Sequence, residues 1–225
     1  MFERLELLIG KDNLNKIHSI KVLIVGVGGV GGECALSLVR SGIEDIVIID
    51  FDTVDISNIN RQVVAYHSTI GKKKVDVLES IIKDINPKCN VSKYDIYLDK
   101  DNIKEIFDKE SPKFIIDCCD SKETKKEIIK EAIERNINFI SSMGTGCKMD
   151  PSKLEITDIR KTNNDPLARI FRKWVRDEKI NKKIPVLCSV EVPIKSGRVV
   201  ASNSFVPNSA GLLISSYVIR EIIKD

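Results

Sequence analysis

The sequence predicts an α/β fold: a mostly parallel sheet with flanking helices, followed by a C-terminal α+β extension. Three observations predict it. A β-branched run at residues 21–25 feeds a glycine cluster, a helical pattern fills 33–41 and stops at Gly42, and a second apolar run at 46–49 ends at Asp50. Strand, glycine turn, helix and strand in that order form a βαβ unit, whose strands lie parallel. The same alternation returns at 114–116, 121–136 and 139–142, where a charged helical stretch separates two short buried strands.

The elements between follow in order. Residues 55–71 are polar and irregular. Residues 72–84 form a helix with Val75, Leu78, Ile81 and Ile82 on its apolar stripe, and Pro87 follows its end. Residues 91–97 read as a strand and 102–107 as a helix. Gly144 to Gly146 marks a change of character, after which 154–158 reads as a strand. Asp165-Pro166 opens a helix, with Asp as its N-cap and Pro in its first turn. Leu167, Ile170, Phe171, Trp174 and Val175 make that helix's apolar stripe, and Arg169, Arg172, Lys173 and Arg176 fall largely on its other faces. A short strand at 186–192 and an apolar run around 212–223 complete the chain. With 225 residues and 42% apolar composition there is enough to bury one full core. The expected organisation is a single domain over 1–225, with a nucleotide-binding core at 1–145 and a substrate-facing extension at 146–225.

Composition excludes several classes. The N-terminus has no basic segment followed by an apolar stretch, so no signal peptide is expected. Ser215, Ser216, Arg220 and Glu221 interrupt the C-terminal apolar run, which is too short and polar for the roughly 20 residues of a membrane span. A cytoplasmic protein is the default. The six cysteines include no C-x-x-C pair, so no structural zinc is expected, and they read as reduced, mostly buried thiols. The formal charge of +3 does not by itself imply nucleic acid, but it is unevenly placed: residues 160–183 hold nine Lys or Arg against three Asp or Glu.

Gly26-Val27-Gly28-Gly29-Val30-Gly31 matches G-x-G-x-x-G between a strand and a helix. Residues without Cβ let the backbone turn tightly and approach a phosphate, whose charge is favoured by amides at a helix N-terminus. Asp50 closes the second strand, where a carboxylate can accept from ribose hydroxyls. The expected fold is therefore Rossmann-like, and the motif alone specifies a nucleotide, with NAD the obvious one. The following segment, Asp50-Phe51-Asp52 through Asn60-Arg61-Gln62, points elsewhere. It supplies Asn58 and Arg61, and Lys74 follows, donors suited to a triphosphate. Asp120 ends a later strand at the carboxyl edge where α/β proteins bind ligands, and could hold Mg²⁺ beside phosphates.

These motifs, with the Cys119-Asp120-Ser121 turn, resemble the ubiquitin-activating-like adenylyltransferases over roughly residues 1–145. The resemblance implies ATP and Mg²⁺ as cofactors. It implies nucleotide contacts at Gly28, Gly29, Asp50 and Asp52, phosphate binding by Asn58, Arg61 and Lys74, and Mg²⁺ at Asp120. Arg61, Lys74 and Asp120 are the implied catalytic set. Phe2-x-Arg4 is similar to an N-terminal motif whose arginine reaches the partner protomer's ATP site, which implies a homodimer. Beyond the core, Asp158-x-x-Lys161-Thr162-x-x-Asp165-Pro166-Leu167-Ala168 and Cys188-Ser189-x-Glu191 resemble the tRNA threonylcarbamoyladenosine dehydratases. Residues 203–209 stand where some members carry a longer loop.

That resemblance implies ATP-dependent cyclisation of threonylcarbamoyladenosine in tRNA. The threonine carboxylate attacks the α-phosphate, and a nitrogen of the same modification then displaces AMP. The alternative is activation of the C-terminal carboxylate of a ubiquitin-like sulfur carrier, and a sulfur-relay protein is a further candidate partner. A non-catalytic nucleotide sensor is opposed by the intact Arg61, Lys74 and Asp120 set, and an NAD dehydrogenase fits least. The basic helix carries two readings, a solvated amphipathic face or a tRNA surface formed by Arg169, Arg172, Lys173 and Arg176. Lys122, Lys125 and Lys126 are the next candidates for that surface. Cys188 reads as a buried thiol rather than a thioester nucleophile, and His18 and His67 as packing or surface residues.

Overall fold

The computed structural model describes residues 1–194, 197 and 200–224. Its seven strands are β1 (Lys21–Val25), β2 (Asp45–Ile49), β3 (Asn90–Tyr94), β4 (Phe114–Asp117), β5 (Asn138–Ser142), β6 (Leu154–Asp158) and β7 (Pro185–Ser189). They form one sheet in the order β3-β2-β1-β4-β5-β7-β6. Every pair is parallel except β6 with β7. The mostly parallel α/β class is thus the observed one. The extension's two strands continue the same sheet, β7 beside β5 and β6 at the edge.

The helices are α1 (Glu3–Ile9), α2 (Lys11–His18), α3 (Gly31–Arg40), α4 (Lys74–Ile85), α5 (Ile103–Glu110), α6 (Lys122–Glu134), α7 (Pro166–Asp177) and α8 (Phe205–Lys224). The side chains of the inner strands alternate between two apolar layers. Val22, Ile24, Ile46, Ile48, Ile116 and Leu187 meet α3, α4 and α8 through residues such as Leu38, Leu78 and Ile214. Leu23, Val25, Val47, Ile49, Ile115 and Val186 meet α5, α6 and α7 through Phe107, Ile128 and Phe171. Strands buried on both faces explain the continuous apolar runs in the sequence.

Helix starts follow the expected chemistry. Ser121 Oγ accepts from Thr124 N–H at 3.2 Å to cap α6, and Asp165 accepts from Ala168 N–H at 2.8 Å to cap α7, with Pro166 in the first turn. Two N-terminal helices were not anticipated. α2 turns only Leu14 and Ile17 fully inward, and α1 buries no residue fully. β3 stops at Tyr94, earlier than the expected residue 97, so 95–98 leave the sheet at its carboxyl edge. The strand expected over 186–192 ends at Ser189, because its antiparallel partner β6 begins opposite that residue.

Candidate active site

The strand order reverses between β1 and β4, and the loops after these strands diverge to leave a crevice at the carboxyl edge of the sheet. A cleft of about 290 Å³ occupies it, lined by the glycine loop, the 50–62 segment, Lys74, residues 96–98 and the Cys118–Ser121 turn. Gly28, Gly29, Asp50, Asp52, Asn58, Arg61, Lys74 and Asp120 all line this one cleft. Arg4 does not line it; it is exposed on α1.

The glycines are needed for close approach. Gly26 has φ +82°, and a Cβ there would lie 2.8 Å from Cys119 N, so the loop after β1 packs directly on the turn after β4. At Gly31 a Cβ would fall 1.8 Å from the Gly26 carbonyl oxygen. Asp50 accepts from the N–H groups of Val27 at 2.7 Å and Asp52 at 2.9 Å, tying the glycine loop to the end of β2. Burial pushes the Asp50 carboxyl up, against the lowering effect of these N–H groups and Lys74.

The cationic donors are individually seated. Lys74 is buried at the start of α4, with its ammonium 2.8 Å from the Asp52 carboxylate. Arg61 donates from Nη1 to Ser57 O and Asn60 Oδ1, each at 2.9 Å. Asn58 Oδ1 accepts from Asp55 N–H at 3.1 Å in a capping box that fixes the 55–58 turn. The Asn208 amide of α8 donates to Arg61 O at 2.8 Å and Gly29 O at 3.2 Å, so the last helix clamps both loops. Asp120 is exposed at the cleft, directly before the α6 cap.

Beneath Asp120 lies a buried ion pair. Lys125 Nζ sits 3.0 Å from Asp117 Oδ2 and donates to Ser142 O at 2.8 Å. Asp117 also accepts from Ser141 Oγ at 2.5 Å and from Cys119 N–H at 3.2 Å. Burial, the largest single influence, would lower the Lys125 pKa, but Asp117 together with the neighbouring Cys119 and Cys118 outweighs it and holds the ammonium above its ordinary value. Lys125 is therefore withdrawn as a candidate for a tRNA surface; its side chain is 0% exposed.

The extension's signature residues shape its framework. Thr162 Oγ1 donates to Ile159 O at 2.7 Å and accepts from Arg172 Nη1 at 2.6 Å. Asp165 pairs with buried Lys148 at 3.1 Å, and Lys148 also donates to Gly144 O at 2.7 Å. Glu191 accepts from Met149 N–H and Asp150 N–H, each at 2.9 Å. Arg172 thus points at Thr162, and Arg176 lies 3.5 Å from Asp177. Arg169 and Lys173 instead share an open groove with Lys126 of α6 and Trp174. Cys188 is buried in β7, and burial, then Glu155 and Asp165, push its thiol up to about 12.

Sequence reasoning overlooked several cleft residues. Gln62 is 9% exposed, and its Oε1 has no hydrogen-bond partner among the described residues. Phe51 and Tyr97 meet edge to face at the rim, with centroids 5.2 Å apart. Their signal was available, since each follows the carboxyl end of a strand on one side of the crevice, β2 and β3. Asn208 carries no comparable local signal, because its partners are distant in sequence.

The ThiF family model matches residues 2–192. A tRNA threonylcarbamoyladenosine dehydratase of Bacillus subtilis is 38% identical, covering all of this chain and 95% of that protein. The chain belongs to the ThiF family, within its tRNA threonylcarbamoyladenosine dehydratase branch. The E. coli tRNA N6-threonylcarbamoyladenosine dehydratase TcdA in complex with ATP has a TM-score of 0.93 to this ThiF-family chain. That match has 28% identity and covers 99% of this chain and 93% of that one. The adenylyltransferase and sulfurtransferase UBA4 of Vanderwaltozyma polyspora is 34% identical over 72% of this chain, but only 36% of that protein is covered.

Proposed function

We propose that this chain is an ATP-dependent tRNA threonylcarbamoyladenosine dehydratase acting through an acyl-adenylate. The observation that carries the reading is the convergence of Gly28, Gly29, Asn58, Arg61, Lys74 and Asp120 on one cleft at the sheet's switch point. The near full-length similarity to a dehydratase, against partial coverage of an adenylyltransferase and sulfurtransferase, favours this over activation of a sulfur-carrier protein.

In this reading each part has a task. The glycine loop and the amino end of α3 receive phosphate through backbone N–H groups. Asp50 retains lone pairs for ribose hydroxyls beyond its two N–H partners. Arg61 and Lys74 stabilise charge on phosphate oxygens as the threonine carboxylate attacks the α-phosphate and pyrophosphate leaves. Asp120 would hold Mg²⁺, because it offers an exposed carboxylate beside these donors. Among the described residues no cluster of three or more His, Cys, Asp or Glu side chains is placed to hold a metal. The cation would neutralise phosphate charge. In the second step a ureido group of the same modification closes on the activated carbonyl, an N–H proton is lost and AMP departs. Water has then been removed overall. Reacting groups on one nucleoside need chiefly to be positioned.

Two surfaces complete the reading. Arg169 and Lys173, with Lys126, form the tRNA phosphate contact, Arg172 serves mainly to set α7, and Arg176, with a side chain 75% exposed, stays available to the tRNA. A homodimer brings Arg4 to the partner's cleft, supported by Leu7 and Leu8 of α1, which are 88% and 81% exposed. The substrate fits a cytoplasmic enzyme, and among the described residues no helix is long and apolar enough to cross a membrane. The test is mass spectrometry of nucleosides from tRNA incubated with protein, ATP and Mg²⁺. A modified nucleoside lighter by one water is expected. Unchanged nucleosides beside confirmed ATP binding would overturn the reading.

A further inference from the structure

The last helix approaches the phosphate side of the cleft from behind the glycine loop. On α8, Asn208, Gly211 and Ser215 follow one another at helical spacing and share one face. That face meets α3. A Cβ at Gly211 would lie 2.5 Å from Val30 O and 2.9 Å from Cys34 N, so α8 is pressed against the amino end of α3. Farther along, Ser215 Oγ and Ser37 Oγ are 2.7 Å apart. The start of α8 is fixed as well. Asn203 Oδ1 accepts from Phe205 N–H at 2.9 Å and Val206 N–H at 3.0 Å, and Asn203 Nδ2 donates to Lys148 O at 2.7 Å. Asn208 lies one turn before Gly211, which carries it past the end of α3 to the glycine loop.

There the Asn208 amide meets two carbonyl oxygens, Arg61 O at 2.8 Å and Gly29 O at 3.2 Å. Carbonyls only accept, so the amide nitrogen gives one proton to each. Gly29 and Arg61 both line the cleft and touch each other: a Cβ at Gly29 would lie 3.4 Å from Arg61 O and 3.6 Å from Arg61 Cγ. In a trans peptide the C=O and the following N–H point in opposite directions. With Gly29 O turned to Asn208, the Val30 N–H points away from α8. With Arg61 O turned to Asn208, the Gln62 N–H points the other way and donates to Asn58 O at 2.9 Å. Asn208 therefore stitches the glycine loop to Arg61 and keeps two carbonyl oxygens directed at α8, where they do not repel phosphate. The Arg61 side chain is supported from the same segment. Asn60, whose Oδ1 holds Arg61 Nη1, donates from Nδ2 to Ser202 O at 3.0 Å.

We propose that Asn208 is a positioning residue for the phosphate half of the cleft. It acts on the triphosphate through Gly29 and Arg61 and does not itself line the cleft. It also lies beyond residues 2–192, the span of the family match, so the extension completes the nucleotide site. Its effect is confined to one end of the ligand. Asp50, which faces the ribose, is tied to the N–H groups of Val27 and Asp52 and to nothing on α8. This rests on the ATP-dependent reading above.

The experiment compares wild type, Asn208→Ala and Asn208→Leu. Leu keeps the branched shape of Asn and removes both donors. Thermal melting checks folding, and calorimetry gives affinities for ATP–Mg²⁺ and, by competition, for adenosine, which lacks phosphates. Loss of the donors should weaken ATP–Mg²⁺ binding about 3- to 10-fold in both variants, with adenosine binding unchanged. That selectivity is what a purely structural role does not produce, since a loosened fold weakens both ligands. Wild-type ATP affinity in Asn208→Leu overturns the proposal, whether or not Asn208→Ala is impaired, because packing alone would then suffice. An equal loss for ATP and adenosine overturns it too, as does a Leu variant too unstable to bind either. Failure of the wild type to bind ATP would instead sink the dehydratase reading.

Discussion

Replacing Lys125 by Met tests the frame under the cleft. The Lys125 and Asp117 side chains are 0% and 1% exposed, and their charged atoms are 3.0 Å apart. Met is close to the Lys stem in volume, so Lys125→Met removes the charge and its donors while leaving little cavity. Asp117 keeps Ser141 Oγ and Cys119 N–H as partners but loses the only cation paired with it among the described ion pairs. Breaking a buried pair on one side costs roughly 3–5 kcal/mol, because the remaining charge is uncompensated. For a chain of this size that is a fall in Tm of about 6–20 °C. The double variant Asp117→Asn/Lys125→Met should recover much of the loss, since no isolated charge remains. Urea unfolding of wild type, both single variants and the double variant gives the coupling. The sign with pH also follows. Because the folded Lys125 pKa is raised, the pair's contribution is fully present below the unfolded lysine value of about 10.4 and decays as pH rises through the folded one. A single variant within about 1 kcal/mol of wild type would refute the sealed pair. So would a double variant no more stable than Lys125→Met.

Three further outcomes are expected. Asp120→Ala should abolish ATP–pyrophosphate exchange with substrate tRNA while leaving thermal stability unchanged, and Lys74→Ala should cost about 2–4 kcal/mol of transition-state stabilisation in the same assay; normal exchange in either would remove that residue from the site. Cys188→Ala should keep most activity, and iodoacetamide should leave Cys188 unmodified at pH 8, where a thiol at about 12 holds roughly one part thiolate in ten thousand; labelling should rise with pH, and rapid labelling at pH 8 would contradict the buried thiol. Neutralising Lys126 or Lys173 should lower the salt slope of tRNA binding by about 0.7–0.9 each, whereas Arg172→Ala should leave the slope alone and lower stability through the lost Thr162 contacts; equal slopes in all three would move the tRNA surface elsewhere.

What the sequence revealed is what local chemistry encodes. The glycine loop, the acid ending β2 and the Asp165-Pro166 helix start each depend on residues a few positions apart, and each stands where expected. β1, β2, β4, β5 and β7 were recognisable because apolar runs bounded by turns have few other uses in a chain of this kind, whereas the edge strands β3 and β6 mix polar and apolar residues. α1 and α2 escaped because they are short and dock through few side chains: α2 turns only Leu14 and Ile17 fully inward, and Leu7 and Leu8 of α1 are exposed. In the cleft, the charged residues could be named because ATP chemistry demands them, whereas Tyr97 and Asn208 acquire meaning only through partners that the fold supplies.

Lys125 shows where charge alone misleads and what would have corrected it. In the stretch from Lys122 to Ala132 three lysines near the helix start look equally suited to phosphate. On a helix, however, residue 125 has Ile128 and Ile129 at i+3 and i+4 and Ala132 at i+7, all fully buried, whereas of these residue 122 has only Ile129, at i+7. A lysine on an apolar stripe must either be paired or lose its charge. The chain provides the partner eight residues earlier, in Asp117 at the end of β4, too far for helical spacing to suggest. Arg172 repeats the lesson from the other side of the groove. Its guanidinium is claimed by Thr162, ten residues before it and outside α7, so of four basic residues that look alike in sequence one is already used by the fold, while Arg169, Lys173 and Arg176 are exposed. Periodicity therefore had the information to withdraw Lys125, and only tertiary structure had the information to withdraw Arg172.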